Sequence, residues 1–494
     1  MNHSLKYLLL AAIVAVATTA GANEPVKLPD LGGTSTRVLS PEEEARFPHE
    51  FSQFMRANDL LVEDPLISGY FSDMGFRLVS RSDRSKDSFH FFVLKEPEIN
   101  AFAMPAGVIA LHSGLILEAR DESEVAGVLA HEIAHVIQDH IARGVEASQN
   151  VSFPAMIAAL GLAIAAGAAG ADGDAAQAIM FGGMSLAQQF QISHTRQAEA
   201  EADRIGISLL ARGGYEPQGM TRFFQRLNRI TRAMGEGPPE YLRTHPLTTN
   251  RIAEARSRAD SFTVRNPRDG EEFHFVQARL RALMVEPFAA QHWFRTRLDG
   301  SSDRPEAALR YGLALSLIQS RRLEEARLQT EWLLATDSDS QLYQLLESEL
   351  LIAENRVADS LAILERLFSE YPGNRLISTR YAHALMHERD AGRAVRAATV
   401  LRQYLRDYPD DVDMVELYAR AADRAGDSVR AAEALAESYY MRGSIPEALV
   451  QLERVNDRDD LDYYQRSRVN ARLNELRTER LRLTARQQRQ QRPQ

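Results

Sequence analysis

Residues 121–143 read DESEVAGVLAHEIAHVIQDHIAR. Asp121, with Glu124 three residues on, has the form of a capping box that opens a helix. Val125, Leu129, Ile133 and Val136 then recur at helical spacing, and the pattern predicts a helix running to about Arg143-Gly144. Within it, His131-Glu132-Ile133-Ala134-His135 sets two imidazoles at i and i+4, about 40° apart around the axis, so both face the same way. Two neutral imidazoles at that spacing suit a zinc ion. Glu132 stands beside them, where a carboxylate can accept a proton from water that a divalent ion has acidified. With 13 His in 494 residues, chance supplies about 0.03 such patterns per chain. A match on a strong helix is therefore informative.

A catalytic zinc site needs a third protein ligand and an open fourth position. The next well-formed helical pattern, 197–210, is closed by Arg212-Gly213-Gly214 and opens with Glu199-Ala200-Glu201-Ala202-Asp203. Glu199 and Asp203 share a face, whereas Glu201 points about 200° away from Glu199 and is expected in solvent. Glu199 is assigned as the third ligand. Asp203 is expected behind the metal, accepting a hydrogen bond from an imidazole and fixing its orientation.

On the N-terminal side, 89–94, 100–104 and 108–111 are short strand candidates, with Pro105-Ala106-Gly107 as the turn between the last two. Short strands set among helices predict an α+β core. Between the two acidic and histidine motifs, residues 147–171 carry no charge, and a second apolar stretch follows Asp172-Gly173-Asp174. The whole of 147–187 is expected to form an apolar helical hairpin lying over a groove or against a membrane surface, too rich in Ala and Gly for a true span. Residues 1–22 read as a cleavable secretory signal: Lys6, an apolar run, then Ala20-Gly21-Ala22. Export to the periplasm is the expected address.

From about Pro305 the pattern is almost wholly helical. Small residues recur at Ala326, Ser360 and Ala397, with Tyr371-Pro372 and Tyr408-Pro409 at a common offset. A period near 34 residues reads as tetratricopeptide repeats, here over 303–455, and such stacks present a concave surface to partner segments. Residues 465–494 hold nine Arg against two Glu and read as an Arg-rich solvated helix with a disordered end. The net charge of −10 makes the chain a poor nucleic-acid binder. With no Cys, thiolate metal sites and cysteine nucleophiles are excluded, so any metal is held by His, Asp or Glu.

His131-Glu132-x-x-His135 with Glu199-Ala-Glu-Ala-Asp203 further on resembles the M48 family of zinc endopeptidases. Asn100-Ala-Phe-Ala-Met-Pro-Ala-Gly107, followed by His112-Ser-Gly-Leu, is similar to that family's edge-strand segment, and Thr244-His245-Pro246 with Arg251 matches a further landmark. One departure is Ala106, where relatives often have Gly, which bears on local turn geometry. The likeness extends over nearly the whole mature chain, strongest over 28–260 and more architectural in the repeats. Its motif order resembles periplasmic members that serve outer-membrane β-barrel assembly.

The resemblance implies a mainly α protein: an α+β zincin-like metalloprotease domain (23–265), then an α-solenoid of tetratricopeptide repeats. It implies one zinc ion per chain and catalysis by Glu132. For His245 it leaves two roles, a fourth ligand that keeps the enzyme latent or a donor to the oxyanion. Arg251 would pair with Asp203 or with substrate backbone. Asn100, Ala101, Phe102, Ala103 and Met104 form the expected substrate platform, where an extended peptide adds to the strand edge. His112, His140 and His194 match no role and are read as surface or packing residues. The expected activity is a zinc endopeptidase acting on unfolded or misassembled outer-membrane proteins, docked to the assembly machinery through its repeats. The alternative is a binding chaperone or adaptor whose zinc site is mostly latent.

Overall fold

The computed structural model describes residues 39–147 and 195–490, apart from 86–87, 235–238, 266, 269 and 443. The predicted leader at 1–22, the apolar stretch of 147–187 beyond its first residue, His194 and the last four residues lie outside the described residues. Among the described residues, no helix is long and apolar enough to cross a membrane.

The first ordered element, α1 (Pro41–Ala57), begins with a reciprocal capping box between Ser40 and Glu43. Asp64 opens α2 (Pro65–Val79) by accepting from the Leu66 and Ile67 amides. A three-stranded sheet follows: β1 (His90–Leu94), β2 (Ala101–Ala103) and β3 (Val108–His112). Their order is β1-β3-β2, with β1 parallel and β2 antiparallel to β3. The turn into β3 places Ala106 at φ 57°, in the left-handed region where a Cβ is unfavourable.

A short helix, α3 (Ser113–Glu118), leads to α4 (Glu122–Ile137), which carries His131 and His135. Asp121 caps α4 by accepting from the Glu124 amide, while Glu124 turns back to the Arg120 amide. The helix stops at Ile137 instead of near Arg143, because Asp139 adopts φ 52° and turns the chain into α5 (His140–Ala147). Arg84 holds this turn, donating to the Ile137 carbonyl at 2.9 Å and to Asp139 Oδ1 at 3.0 Å. Then come α6 (Arg196–Gly213), α7 (Gln218–Met234), α8 (Glu240–Thr244) and α9 (Thr249–Ala259). The core gathers Phe71, Leu78, Ile109, Val125, Leu129, Ile133, Leu210 and Phe223 between the sheet and the helices around α4.

Helix α10 (Glu271–Met284) belongs to two cores at once. Its Phe273, Val276 and Leu280 pack into the α+β domain, and its Phe275, Ala278 and Ala282 into the first helices of the solenoid. After α11 (Pro287–Asp299), the solenoid runs as helix pairs: α12 (Glu306–Gln319) with α13 (Leu323–Thr336), and α14 (Gln341–Ala353) with α15 (Val357–Glu370). Next are α16 (Arg375–Leu385) with α17 (Ala391–Asp407), and α18 (Val412–Arg424) with α19 (Ser428–Met441). Ala326, Ser360 and Ala397 are all fully buried on the second helix of their pairs, where a small residue lets the pair close. The Ser360 hydroxyl donates across the pair to the Ser348 carbonyl at 3.0 Å.

The last pair is α20 (Ile445–Asn456) with α21 (Tyr463–Gln490). The basic C-terminal run is therefore not simply a solvated helix. Val469, Leu473 and Leu476 bury an apolar stripe against α20, and Arg468, Arg472 and Arg477 pair with Glu433, Glu437 and Glu453.

The solenoid folds back on the first domain. Asp64 accepts from Arg279 Nε at 2.8 Å and from Arg380 of α16 at 2.7 Å. Arg279 is buried and also meets Glu349 at 3.0 Å and the Tyr311 hydroxyl at 3.0 Å. At the other end Arg56 of α1 reaches Asp413 at 3.0 Å. Between these ties lies a cleft of about 1140 Å³, lined by Phe76 and Phe91 on one side and Met414 and Leu417 on the other.

Two stability experiments follow. Ala106→Gly relieves a left-handed alanine and should raise unfolding stability by about 1 kcal/mol in denaturant titration. Asp64→Ala strips the buried Arg279 of a partner and should cost about 3–5 kcal/mol in the same titration.

Candidate metal centre

Helix α4 is buried almost throughout, so its histidines face protein, not water. Gly206 lets α6 approach closely: a Cβ there would stand 3.2 Å from the Ala130 carbonyl. That approach brings Glu199 and Asp203, both nearly inaccessible, against His131 and His135. His245, the C-cap of α8, joins them. His131, His135, Glu199 and His245 each offer one donor atom, all within 4.8 Å of one another. Nε2 of His131 and His135 are 3.0 Å apart, Nδ1 of His245 is 3.4 Å from His131 Nε2, and Glu199 Oε1 lies 2.9 Å from that Nδ1.

The outer sides of the rings are also occupied. His131 Nδ1 lies 2.9 Å from Asp203 Oδ1. Arg251 holds Asp203 with two hydrogen bonds of 2.8 and 2.9 Å and reaches Glu199 Oε2 at 2.6 Å. Of the two expectations for Arg251, the structure places it on Asp203. Phe224 lies beneath this group, edge-on to His131 and 5.3 Å from the Arg251 guanidinium. With Nδ1 of His131 turned outward to Asp203, its Nε2 points inward with the other donors. Three imidazole nitrogens and one carboxylate oxygen, dry and convergent, fit a divalent metal ion.

Electrostatics separate the two glutamates. Burial alone would raise Glu199, but the charge of His245 and hydrogen bonds from the three imidazoles hold its carboxyl far below the usual range. Asp203 is likewise pulled down against its burial, by His131 and Arg251. Burial also opposes protonation of His131, yet Asp203 and Glu199 hold it up to about 10. Glu132 behaves oppositely: burial raises its pKa against the pull of His245 and His131. Both Glu132 oxygens are buried without a side-chain hydrogen-bond partner, and the closest imidazole nitrogen, His245 Nε2, is 3.6 Å away.

Strand β2 is the edge of the sheet nearest Glu132. Met104 N donates to Val108 O at 2.7 Å and His112 N to Asn100 O at 3.0 Å, which sets Asn100, Phe102 and Met104 toward β3. By alternation, Ala101 and Ala103 direct their main-chain groups to the open side. The Ala101 amide is taken by the Asn100 side chain at 2.9 Å, and the Ile99 carbonyl by the Tyr241 amide at 3.2 Å. The open edge thus narrows to the stretch around Ala103, whose amide also lowers the Glu132 pKa.

Three residues near the centre were not anticipated in their positions. His140 is no surface or packing residue: its Nδ1 lies 3.0 Å from His135 Nδ1. Glu201 is not free in solvent but meets His140 Nε2 at 3.2 Å. Tyr241 stacks on His245, with ring centroids 4.6 Å apart. On a continuous helix His140 would project about 140° away from His135, so the motif alone carries no signal for this contact. The left-handed Asp139 creates it. His112 is buried, with its pKa lowered to about 4 by burial, and packs edge-on against Phe102.

Residues 66–259 match the sequence profile of peptidase family M48. The "Beta-barrel assembly-enhancing protease" of Escherichia coli (strain K12) is 31% identical, over 97% of this chain and 98% of that protein. The protein of the same description in Yersinia pestis is 32% identical, over 95% and 96%. The "Mitochondrial metalloendopeptidase OMA1" of Arabidopsis thaliana is 26% identical over 49% of each chain. A likeness above 30% that runs through nearly the full length of both chains, together with an HExxH helix whose histidines converge with Glu199, settles the assignment: this chain belongs to the M48 family of metalloendopeptidases.

Proposed function

We propose that the chain is a periplasmic zinc endopeptidase that cuts unfolded or misassembled outer-membrane β-barrel proteins, with residues 23–265 as protease and the repeats from 303 as the docking domain. The Glu132 carboxylate carries this reading: it is buried, without an ion-pair partner closer than 3.6 Å, and raised in pKa beside a convergent His, His, Glu donor set. His131, His135 and Glu199 are the proposed ligands. Zinc is favoured by the imidazole and carboxylate donors in a chain without thiols. When bound, the ion polarises a peptide carbonyl and makes water acidic enough to lose a proton near neutral pH.

The remaining chemistry belongs to the side chains. Glu132 takes the proton and returns it to the leaving amine, a task suited to a carboxyl raised by burial. Asp203, held by Arg251, keeps the His131 ring in register. The open edge around Ala103 offers main-chain groups to an extended peptide, so recognition depends on unfolded conformation more than on sequence. The relatives' description as β-barrel assembly-enhancing proteases supports the substrate class and a repeat-mediated contact with assembly machinery.

One observation favours the latent, chaperone-like reading beside it. His245 Nδ1 stands within the donor set and fills the position that a catalytic site keeps open. The protein in this arrangement is a binding module with its protease held off, and displacement of His245 frees the site. The other ring nitrogen of His245, Nε2, lies 3.6 Å from Glu132 Oε1, so the same imidazole stands on the side from which it could donate to a developing oxyanion.

Glu132→Gln should lower casein cleavage by about 10²–10⁴-fold while the purified protein keeps its zinc; turnover near the parent rate would refute the mechanism. His245→Ala separates the roles of that residue: faster cleavage marks a latency ligand, and lost cleavage a transition-state donor. If the Glu132→Gln form fully supports outer-membrane assembly in cells, binding is the main work of the molecule.

A further inference from the structure

The two imidazoles of α4 are oriented from behind by different chemistry. His131 faces a carboxylate, Asp203, at 2.9 Å. His135 faces a second imidazole, His140, with Nδ1 to Nδ1 at 3.0 Å, and His140 Nε2 in turn meets Glu201 Oε2 at 3.2 Å. His140 is buried and Glu201 half-buried. The run Glu199-Ala200-Glu201-Ala202-Asp203 thus serves three rings: Glu199 joins the donor set, Asp203 supports His131, and Glu201 supports His140.

We infer that His140 and Glu201 are positioning residues that fix the tautomer and ring orientation of His135. The inference rests on the metal-centre reading above and deepens it. A metal ligand bound through Nε2 must carry its proton on Nδ1. For His135 that proton points at His140 Nδ1, which must then be an acceptor. A neutral imidazole accepts at one nitrogen only when its other nitrogen bears the hydrogen. His140 therefore carries its hydrogen on Nε2, and Glu201 is the acceptor waiting there. Along these two contacts each donor then meets an acceptor. The turn that delivers His140 is built for it: Asp139 takes the left-handed conformation, and Arg84 ties both the Ile137 carbonyl and the Asp139 side chain.

The test measures zinc affinity of the full chain by competition with a chromophoric chelator, alongside the thermal midpoint of the metal-stripped protein. His140→Leu should weaken zinc binding about 10–100-fold with the stripped protein's midpoint unchanged. His140→Asn places an amide oxygen where Nδ1 stood and should return affinity to within about threefold of the parent, whereas His140→Gln, whose amide reaches the other position, should not. Glu201→Leu, at a half-buried site, should show a smaller loss of about threefold to tenfold; it keeps the idea testable if His140→Leu does not fold. Parent-like zinc affinity in both His140→Leu and Glu201→Leu overturns the inference alone. A failure of His140→Asn to outperform His140→Gln does the same. A parent chain that binds no zinc overturns the metal-centre reading, and this inference with it.

Discussion

Glu132, Glu199, Asp203 and Arg251 are charged side chains in a region almost closed to water, and the first domain depends on how they answer one another. Removing a charge from water costs several kcal/mol unless partners compensate it. Asp203 is compensated by Arg251 and His131, and Glu199 by Arg251 and the imidazoles. Glu132 has no comparable partner, only the Ala103 amide and His245 Nε2 at 3.6 Å. The contrast divides the site into a rigid part and a reactive part. The paired carboxylates stay ionised and hold geometry, while the unpaired one has a raised pKa and is the group free to exchange a proton.

The second domain is bound to the first by shared packing as well as by charge. Helix α10 presents Phe273, Val276 and Leu280 to one core and Phe275, Ala278 and Ala282 to the other, so the two cores cannot rotate freely about it. The buried Arg279 adds polar direction to that joint by meeting Asp64, Tyr311 and Glu349 together. The cleft this leaves between Phe76, Phe91 and the α18 residues Met414 and Leu417 has none of the four convergent donor residues in its lining.

Local patterns were legible wherever one element decides the outcome. His131 and His135 share a face because helical geometry puts them there, and Glu199 and Asp203 do so for the same reason. Ala326, Ser360 and Ala397 mark helix pairs because only small residues permit the close contact observed. The tail misled through its charge: nine arginines hide the stripe of Val469, Leu473 and Leu476, and Glu433, Glu437 and Glu453, which pair with Arg468, Arg472 and Arg477, lie on other helices. The end of α4 misled through backbone conformation, since nothing in the apolar spacing announces a left-handed Asp139.

The amino-acid order alone determined the helical frame, the candidate donors His131, His135 and Glu199, and the repeat period, because each follows from spacing along one helix or one pair. Tertiary structure decided which groups stand behind the ligands and which stand among them. Arg251 settles on Asp203, His140 comes under His135, and His245 enters the donor set from a separate loop. Those contacts join segments far apart in the chain or redirected by a single turn, and the energy that selects them is the cost of burying a polar group without a partner.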